Sequence, residues 1–331
     1  MNTHMFSIGA LVLACSLALD ALAAQRSFVA TYGLDTNVAA SCSTSSPCRG
    51  LPAALSVTDT GGEIVVLNSG GYGPVSIDKS VSIIAPRGVH AGIAVSAGDG
   101  LNISGVDSDV TLRGLSIKGL GGDRGIVMTS GKRLTVDNCT IADMGGAGLM
   151  VWTSASVSVR DSRITDNGGI GVHLLSGVTA VIQGTTIRAN NGGLLAWSAG
   201  AGNEVIVEVS RSAIEGNSGY NLHAQSHNGA KVQMDVKRSA ATESSNAGVT
   251  ALASTGTATI SLADTLIAGN QYAGLSVSGA GATLIATGNT VVKNGHGVLI
   301  SDSGTVQSDG TNTLRGNTTA VTGSLTIFAR M

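Results

Sequence analysis

Two tryptophans, six histidines and a thin scatter of carboxylates are the residues of this chain with chemistry to offer. An exposed indole stacks on flat partners or anchors an interface, which directs attention to Trp152 and Trp197. His296 sits in Gly295-His296-Gly297, and an imidazole held in a tight turn is a candidate acid or base. Hydrolysis of a glycosidic bond, however, requires two carboxyl groups close together. Elimination would require a cage of carboxylate oxygens around calcium, beside a basic residue that removes a proton. Carboxylates instead occur singly among Arg113, Asp137, Arg160, Asp161, Arg163, Arg211, Lys237 and Arg238. That mixture reads as a solvated face with ion pairs of ~0.2–1 kcal/mol each. No catalytic residue, metal site or cofactor is assigned.

The cysteines point to the compartment. Met5 to Leu22 is almost continuously apolar and ends in Ala21-Leu22-Ala23, the pattern of a signal peptide over residues 1–24 cut after Ala23 or Ala24. Cys15, after Val12-Leu13-Ala14, offers an alternative lipoprotein cut. The mature chain is then exported to the periplasm, cell surface or medium, and Cys42 and Cys48 around Ser43-Thr44-Ser45-Ser46-Pro47 suit a small disulfide. Cys139 reads as a buried apolar residue. No second apolar stretch reaches the roughly 20 residues of a membrane span. A net charge of −2 without a basic block gives nucleic acid nothing to bind.

The elements that would position these groups come from a repeat. One apolar position recurs at Ile117, Ile141, Ile164, Ile187, Ile214, Ala241, Ile267, Val291 and Leu314, at gaps of 23 to 27 residues. Three residues later Asn recurs at Asn167, Asn190, Asn217, Asn270, Asn294 and Asn317. Each copy is rich in Gly, Asn, Thr and Val and alternates with a period of two, so it is built of strands. A period in the twenties with two short strands per copy is a solenoid. The expected fold is all-β: a single-stranded right-handed parallel β-helix with coils of about 22–27 residues. Asn and Gly tolerate left-handed backbone, which places a tight turn at Asn167-Gly168-Gly169. Stacked Asn side chains there can hydrogen-bond into a ladder.

Upstream, residues 25–109 read as an N-terminal cap and first coils: a strand Arg26–Ala30, the Cys42/Cys48 loop, and a short helix within Pro47–Val57 burying Leu51, Ala54 and Leu55. A helix there covers the open strand edges of the solenoid. Regular coils are expected over 110–325 and a tail over 326–331, with Phe328 plugging the last coil.

The order RSFVATYGLDTNVAASCSTSSPCRG, GGEIVVLNSGGYGPVSIDKSVSII and then Gly/Asn-turn coils resembles the bacterial right-handed β-helix repeat proteins of the pectin-lyase-like fold group. That group includes pectate lyases, polygalacturonases, uronan epimerases and adhesins, and Gly295-His296-Gly297 is similar to a polygalacturonase motif. The resemblance implies a fold and leaves the reaction unassigned.

Register then selects a surface. With Leu149 and Val151 pointing inward, Met150 and Trp152 point outward. The same register turns out His173 and Leu175, Leu195 and Trp197, and His223 and Gln225 in the following coils. Both tryptophans occupy one outward column, two coils and ~10 Å apart. Met150, Trp152, His173, Trp197, His223 and Gln225 are the candidate ligand-binding residues. The expected function is a non-catalytic module binding polysaccharide or another extracellular partner. The alternative is a lyase or hydrolase of acidic polysaccharide.

Overall fold

The computed structural model describes residues 25–175 and 177–329. The segment read as the signal peptide, with Cys15, lies outside them.

The chain winds into three parallel sheets, each coil contributing one strand to each. Sheet 1 has 13 strands, sheets 2 and 3 have 11 each. One coil comprises Arg133–Asp137 in sheet 1, Thr140–Ala142 in sheet 2 and Leu149–Val151 in sheet 3. The winding is right-handed, the hand a right-twisted strand imposes on parallel crossovers. The recurring apolar position forms an inward stack in sheet 2: Ile117, Ile141, Ile164, Ile187 and Ile214 are register partners in sequence, and all are fully buried. β-Branched side chains suit this role because they pack on a pleated surface with little rotamer entropy to lose.

The turn from sheet 2 to sheet 3 departs from the expected geometry. Left-handed backbone falls one residue before the Asn, not on the Asn-Gly pair. Asp143, Asp166, Ala189, Gly216, Glu243, Gly269, Lys293 and Gly316 occupy this position in eight successive coils, with φ between 53° and 68°. The kink turns the next side chain beneath the turn, so the amides of Asn167, Asn190 and Asn217 are buried. Asn190 Oδ1 accepts from the Asn167 backbone N–H (3.1 Å) and from Asn167 Nδ2 (2.8 Å). Asn190 Nδ2 in turn donates to Ile164 O (3.3 Å) and Asn217 Oδ1 (3.1 Å). Asn270, Asn294 and Asn317 repeat this arrangement.

The two runs are joined across Ser244, which holds the Asn position in the intervening coil. Ser244 N–H donates to Asn270 Oδ1 (3.0 Å), and Asn221 reaches in from the side. Asn221 accepts from Asn217 Nδ2 (2.8 Å) and donates to Thr242 O (2.8 Å) and Asn270 Oδ1 (3.4 Å). A second buried column at the sheet 1–sheet 2 turn works the same way with hydroxyls. Backbone N–H groups of Cys139, Thr185 and Ser212 donate to Ser162, Ser212 and Ser239 Oγ. Cys139 is the thiol member of that column, its pKa pushed up to about 11 by burial.

At the N-terminal end Arg26–Val29 is the first strand of sheet 1. The Cys42–Cys48 disulfide closes a loop that takes up its outer edge: Phe28 N–H donates to Cys42 O and Cys48 N–H to Phe28 O. The helix Leu51–Val57 buries Leu51, Ala54 and Leu55. At the other end the strand Leu325–Ile327 pairs with Thr305–Ser308, carrying sheet 1 into the segment read as a tail. Phe328 extends it through a hydrogen bond to Ser308 O and is half-buried.

Replacing one interior ladder Asn strands several buried backbone and amide groups at once, each costing about 1–3 kcal/mol. Asn190→Ala is expected to destabilise by about 2–4 kcal/mol. Asn317→Ala, in a half-buried position near the end, is expected to cost less than half of that. Urea midpoints of the two variants check the ordering; equal midpoints contradict it.

Candidate functional site

The outward face of sheet 3 carries two side-chain columns set by strand alternation. Met150, His173, Leu195, His223 and Thr250 are successive register partners in the first. In the second, Trp197 pairs with Gln225 and Gln225 with Leu252. Trp152 and Leu175 follow Val151 and Leu174 and continue that column in the opposite direction. All six candidate residues therefore lie on one face. The extra residues of the coils between Ile187 and Ile267 do not form flanking loops. They lengthen strands, as in Gly192–Ala199, Leu222–His227 and Ala247–Ala253 against the three-residue Leu149–Val151.

Each indole has a neighbour that fixes it. Trp152 is 50% exposed, and its ring centroid lies 5.8 Å from the guanidinium carbon of Arg124. Asp99 (2.9 Å) and Asp123 (3.1 Å) hold that guanidinium. Trp197 is half-buried, with His227 tilted against it at 6.1 Å. Gln225 Nε2 donates to His227 Nε2 (2.7 Å), and His227 Nδ1 donates to Ser254 Oγ (2.6 Å). Because an amide nitrogen can only donate, this chain of bonds fixes the His227 tautomer. Rings positioned in this way lose little entropy on binding.

Beside Trp197 the face opens into a groove of about 310 Å³ lined by Ile170, Asn191, Leu195, Tyr220, His223 and Gln225, among others. Tyr220 follows the Asn217 turn and lies 4.4 Å from the His223 ring, centroid to centroid. His223 is 7% exposed. Its pKa is lowered to about 4, first by burial and then by His227, so the ring is neutral at pH 7. Burial also lowers the pKa of His173. His223 Nε2 and Thr250 Oγ1 are buried without a hydrogen-bond partner.

Sequence reasoning reached His223 and Gln225 but not Tyr220, Asn191 or His227. Alternation could have supplied His227, since Leu222–His227 runs two residues past Gln225 on the same face. Met150 and His173 occupy the face upstream of the groove.

Elsewhere a few charged residues pair between coils. Arg113 meets Asp137 (2.8 Å), Arg133 meets Asp109 (3.2 Å) and Lys118 meets Asp143 (3.3 Å). A further concavity of about 760 Å³ includes Arg87, Arg113, Asp137 and Asp161. His296 Nδ1 lies 3.0 Å from Thr322 Oγ1, with Tyr272 edge-on at 5.9 Å. Among the described residues no cluster of three or more His, Cys, Asp or Glu is placed to hold a metal ion.

Residues 56–208 match the family model for the right-handed β-helix region. No curated protein sequence matches the chain. Among solved structures, the A-module of the mannuronan C-5 epimerase AlgE4 from Azotobacter vinelandii aligns with a TM-score of 0.60 at 16% identity, over 82% of this chain and 91% of that one. Pectate lyase Pel9A aligns with a TM-score of 0.55 at 15% identity, over 87% of this chain and 75% of that one. The A-module of AlgE6 from the same organism gives 0.53 at 14% identity, over 82% and 92%. At these identities the likeness is one of fold.

The depressed His223 pKa has a pH consequence. The unfolded chain takes up this proton near pH 6.5 and the folded chain only near pH 4. Stability is therefore complete above pH 6.5 and falls through the window down to pH 4, by up to about 3 kcal/mol. Melting temperatures between pH 8 and pH 4.5 are expected to drop more steeply in the wild type than in His223→Gln. Parallel curves would show that the imidazole is not held neutral.

Proposed function

For a chain with the pectin-lyase-like right-handed β-helix, we propose a polysaccharide-binding role through the outward face of sheet 3, without chemistry at that face. The observation that carries this reading is the column holding Trp152 and Trp197, continued by the groove at Tyr220, His223 and Gln225. Coils repeat every ~4.8 Å, so the two indoles stand ~10 Å apart, a spacing on the scale of an extended disaccharide. Indoles offer the apolar faces of sugar rings a flat surface. Amide, phenol and imidazole groups between and beside them supply hydrogen bonds to hydroxyls. The polar groups of the groove are of these neutral kinds, whereas glycosidic hydrolysis calls for a pair of carboxyl groups.

An exported location is part of the proposal. The disulfide is compatible with it. So is the finding that no helix among the described residues is long and apolar enough to cross a membrane.

Titrating the purified protein with neutral and acidic polysaccharides while following tryptophan emission tests the reading. A saturable shift is expected, weakened at least about tenfold in Trp152→Ala/Trp197→Ala, given the energy a buried aromatic anchor contributes. The same samples are expected to show no new absorbance at 235 nm. Growth of that band would signal unsaturated uronates and a lyase. An unresponsive emission with every polysaccharide would remove the binding role.

A further inference from the structure

Only one face of the regular coils carries aromatic rings. Between residues 110 and 325 the Trp and Tyr residues are Trp152, Trp197, Tyr220 and Tyr272. Trp197 stands on a sheet 3 strand, Trp152 directly after one, and Tyr220 and Tyr272 shortly before one. The histidines of the same stretch are on sheet 3 strands as well. The core of these coils holds no aromatic ring, so interior packing does not account for the four. Each has a neighbour that steadies it: Arg124, His227, His223 and His296 in turn. Large rings gathered on one side of a molecule mark a binding surface.

Tyr272 lies beyond the groove. It is 51% exposed, with the His296 ring edge-on at 5.9 Å and His296 Nδ1 in turn 3.0 Å from Thr322 Oγ1. Five coil steps separate it from Trp152, ~24 Å along the axis. Trp152 follows the C-terminal end of its strand and Tyr272 precedes the N-terminal end of its own. The line between them therefore crosses sheet 3 obliquely, over roughly 30 Å. The seven strands from Leu149–Val151 to His296–Ser301 hold no Asp, Glu, Lys or Arg, so a chain laid across them strips water from none of those charges.

We propose, resting on the polysaccharide-binding reading, that Tyr272 braced by His296 is a further sugar-stacking site. An extended glycan of about six residues then crosses the face from Trp152, past the groove, to Tyr272, a span of about three of the two-coil steps matched above to a disaccharide. A further ring engaged by the same chain adds affinity without a second loss of translational freedom. Short and long oligosaccharides must therefore bind differently.

Size-graded oligosaccharides of cellulose, mannan, mannuronan and polygalacturonate, from dimer to octamer, separate this track from the broader reading, by calorimetry at pH 7.5. For the glycan that binds, affinity is expected to rise at least tenfold from dimer to hexamer. Tyr272→Ala is expected to weaken the hexamer about five- to tenfold. It leaves the tetramer, which the indoles and the groove hold without Tyr272, unchanged. Tyr272→Phe keeps the ring and is expected to bind the hexamer as the wild type does. A purely structural Tyr272 would instead lower the affinity of both lengths together, and the melting temperature with them. That result, an affinity already level at the dimer, or a hexamer indifferent to Tyr272→Ala overturns the Tyr272 site and leaves polysaccharide binding on sheet 3 standing. Binding of no oligosaccharide and of no parent polysaccharide overturns both.

Discussion

A coil of this β-helix closes only if the chain turns sharply between sheets and still satisfies the backbone groups that the turn exposes to the core. The buried amide column answers that demand. In eight successive coils a left-handed residue breaks the sheet 2 strand, and the Asn side chains that follow fold under the turn to accept the N–H of the coil before them. The non-glycine residues held there carry roughly 1–2 kcal/mol of backbone strain apiece, which the doubly bonded amides offset. Where Asn gives way to Ser244, the loss is made good by Asn221. Each coil is thereby locked to its neighbour at one register, and everything on the outside inherits that register.

This inheritance connects the core to the candidate site. A one-residue slip would exchange the inner and outer sets of every sheet 3 strand, burying the indoles and exposing Leu149 and Val151. With the ladder in place, Trp152 and Trp197 stay in line across two coils, and His223 is brought level with Leu195 and Thr250. The longer strands from Gly192 onward then add His227 to the outer face, where it braces Trp197 and receives the Gln225 amide. Met150, His173, Leu195, Trp197, His223 and Gln225 stand on strands, so they are held more rigidly than loop residues would be. On sheets 1 and 2, Arg113, Lys118 and Arg133 pair instead with carboxylates of neighbouring coils.

Much of this architecture was legible in the sequence because it is periodic. The Ile117-to-Leu314 series, the alternation around Trp152, the Cys42–Cys48 loop and the amphipathic Leu51–Val57 each follow from local spacing. What escaped notice is aperiodic or depends on the turn's three-dimensional path. The left-handed position is filled by Asp, Ala, Glu and Lys more often than by Gly, so composition pointed one residue too far along. Asn221 enters the ladder from outside the repeat, meeting Asn270 across 49 residues of chain. Tyr220 reaches His223 only because the Asn217 turn folds it over the strand. The longer gaps after Ile187 do not say where the extra residues go, and only the pairing shows that they prolong strands.

The central claim is that a rigid ladder presents one face, sheet 3, to a glycan. Its most direct test is a crystal structure of the protein with a bound oligosaccharide. The account predicts continuous sugar density along sheet 3 between Trp152 and the Tyr220–His223 groove, with the coils unmoved. Density seated instead among Arg87, Arg113, Asp137 and Asp161, with sheet 3 bare, would contradict it.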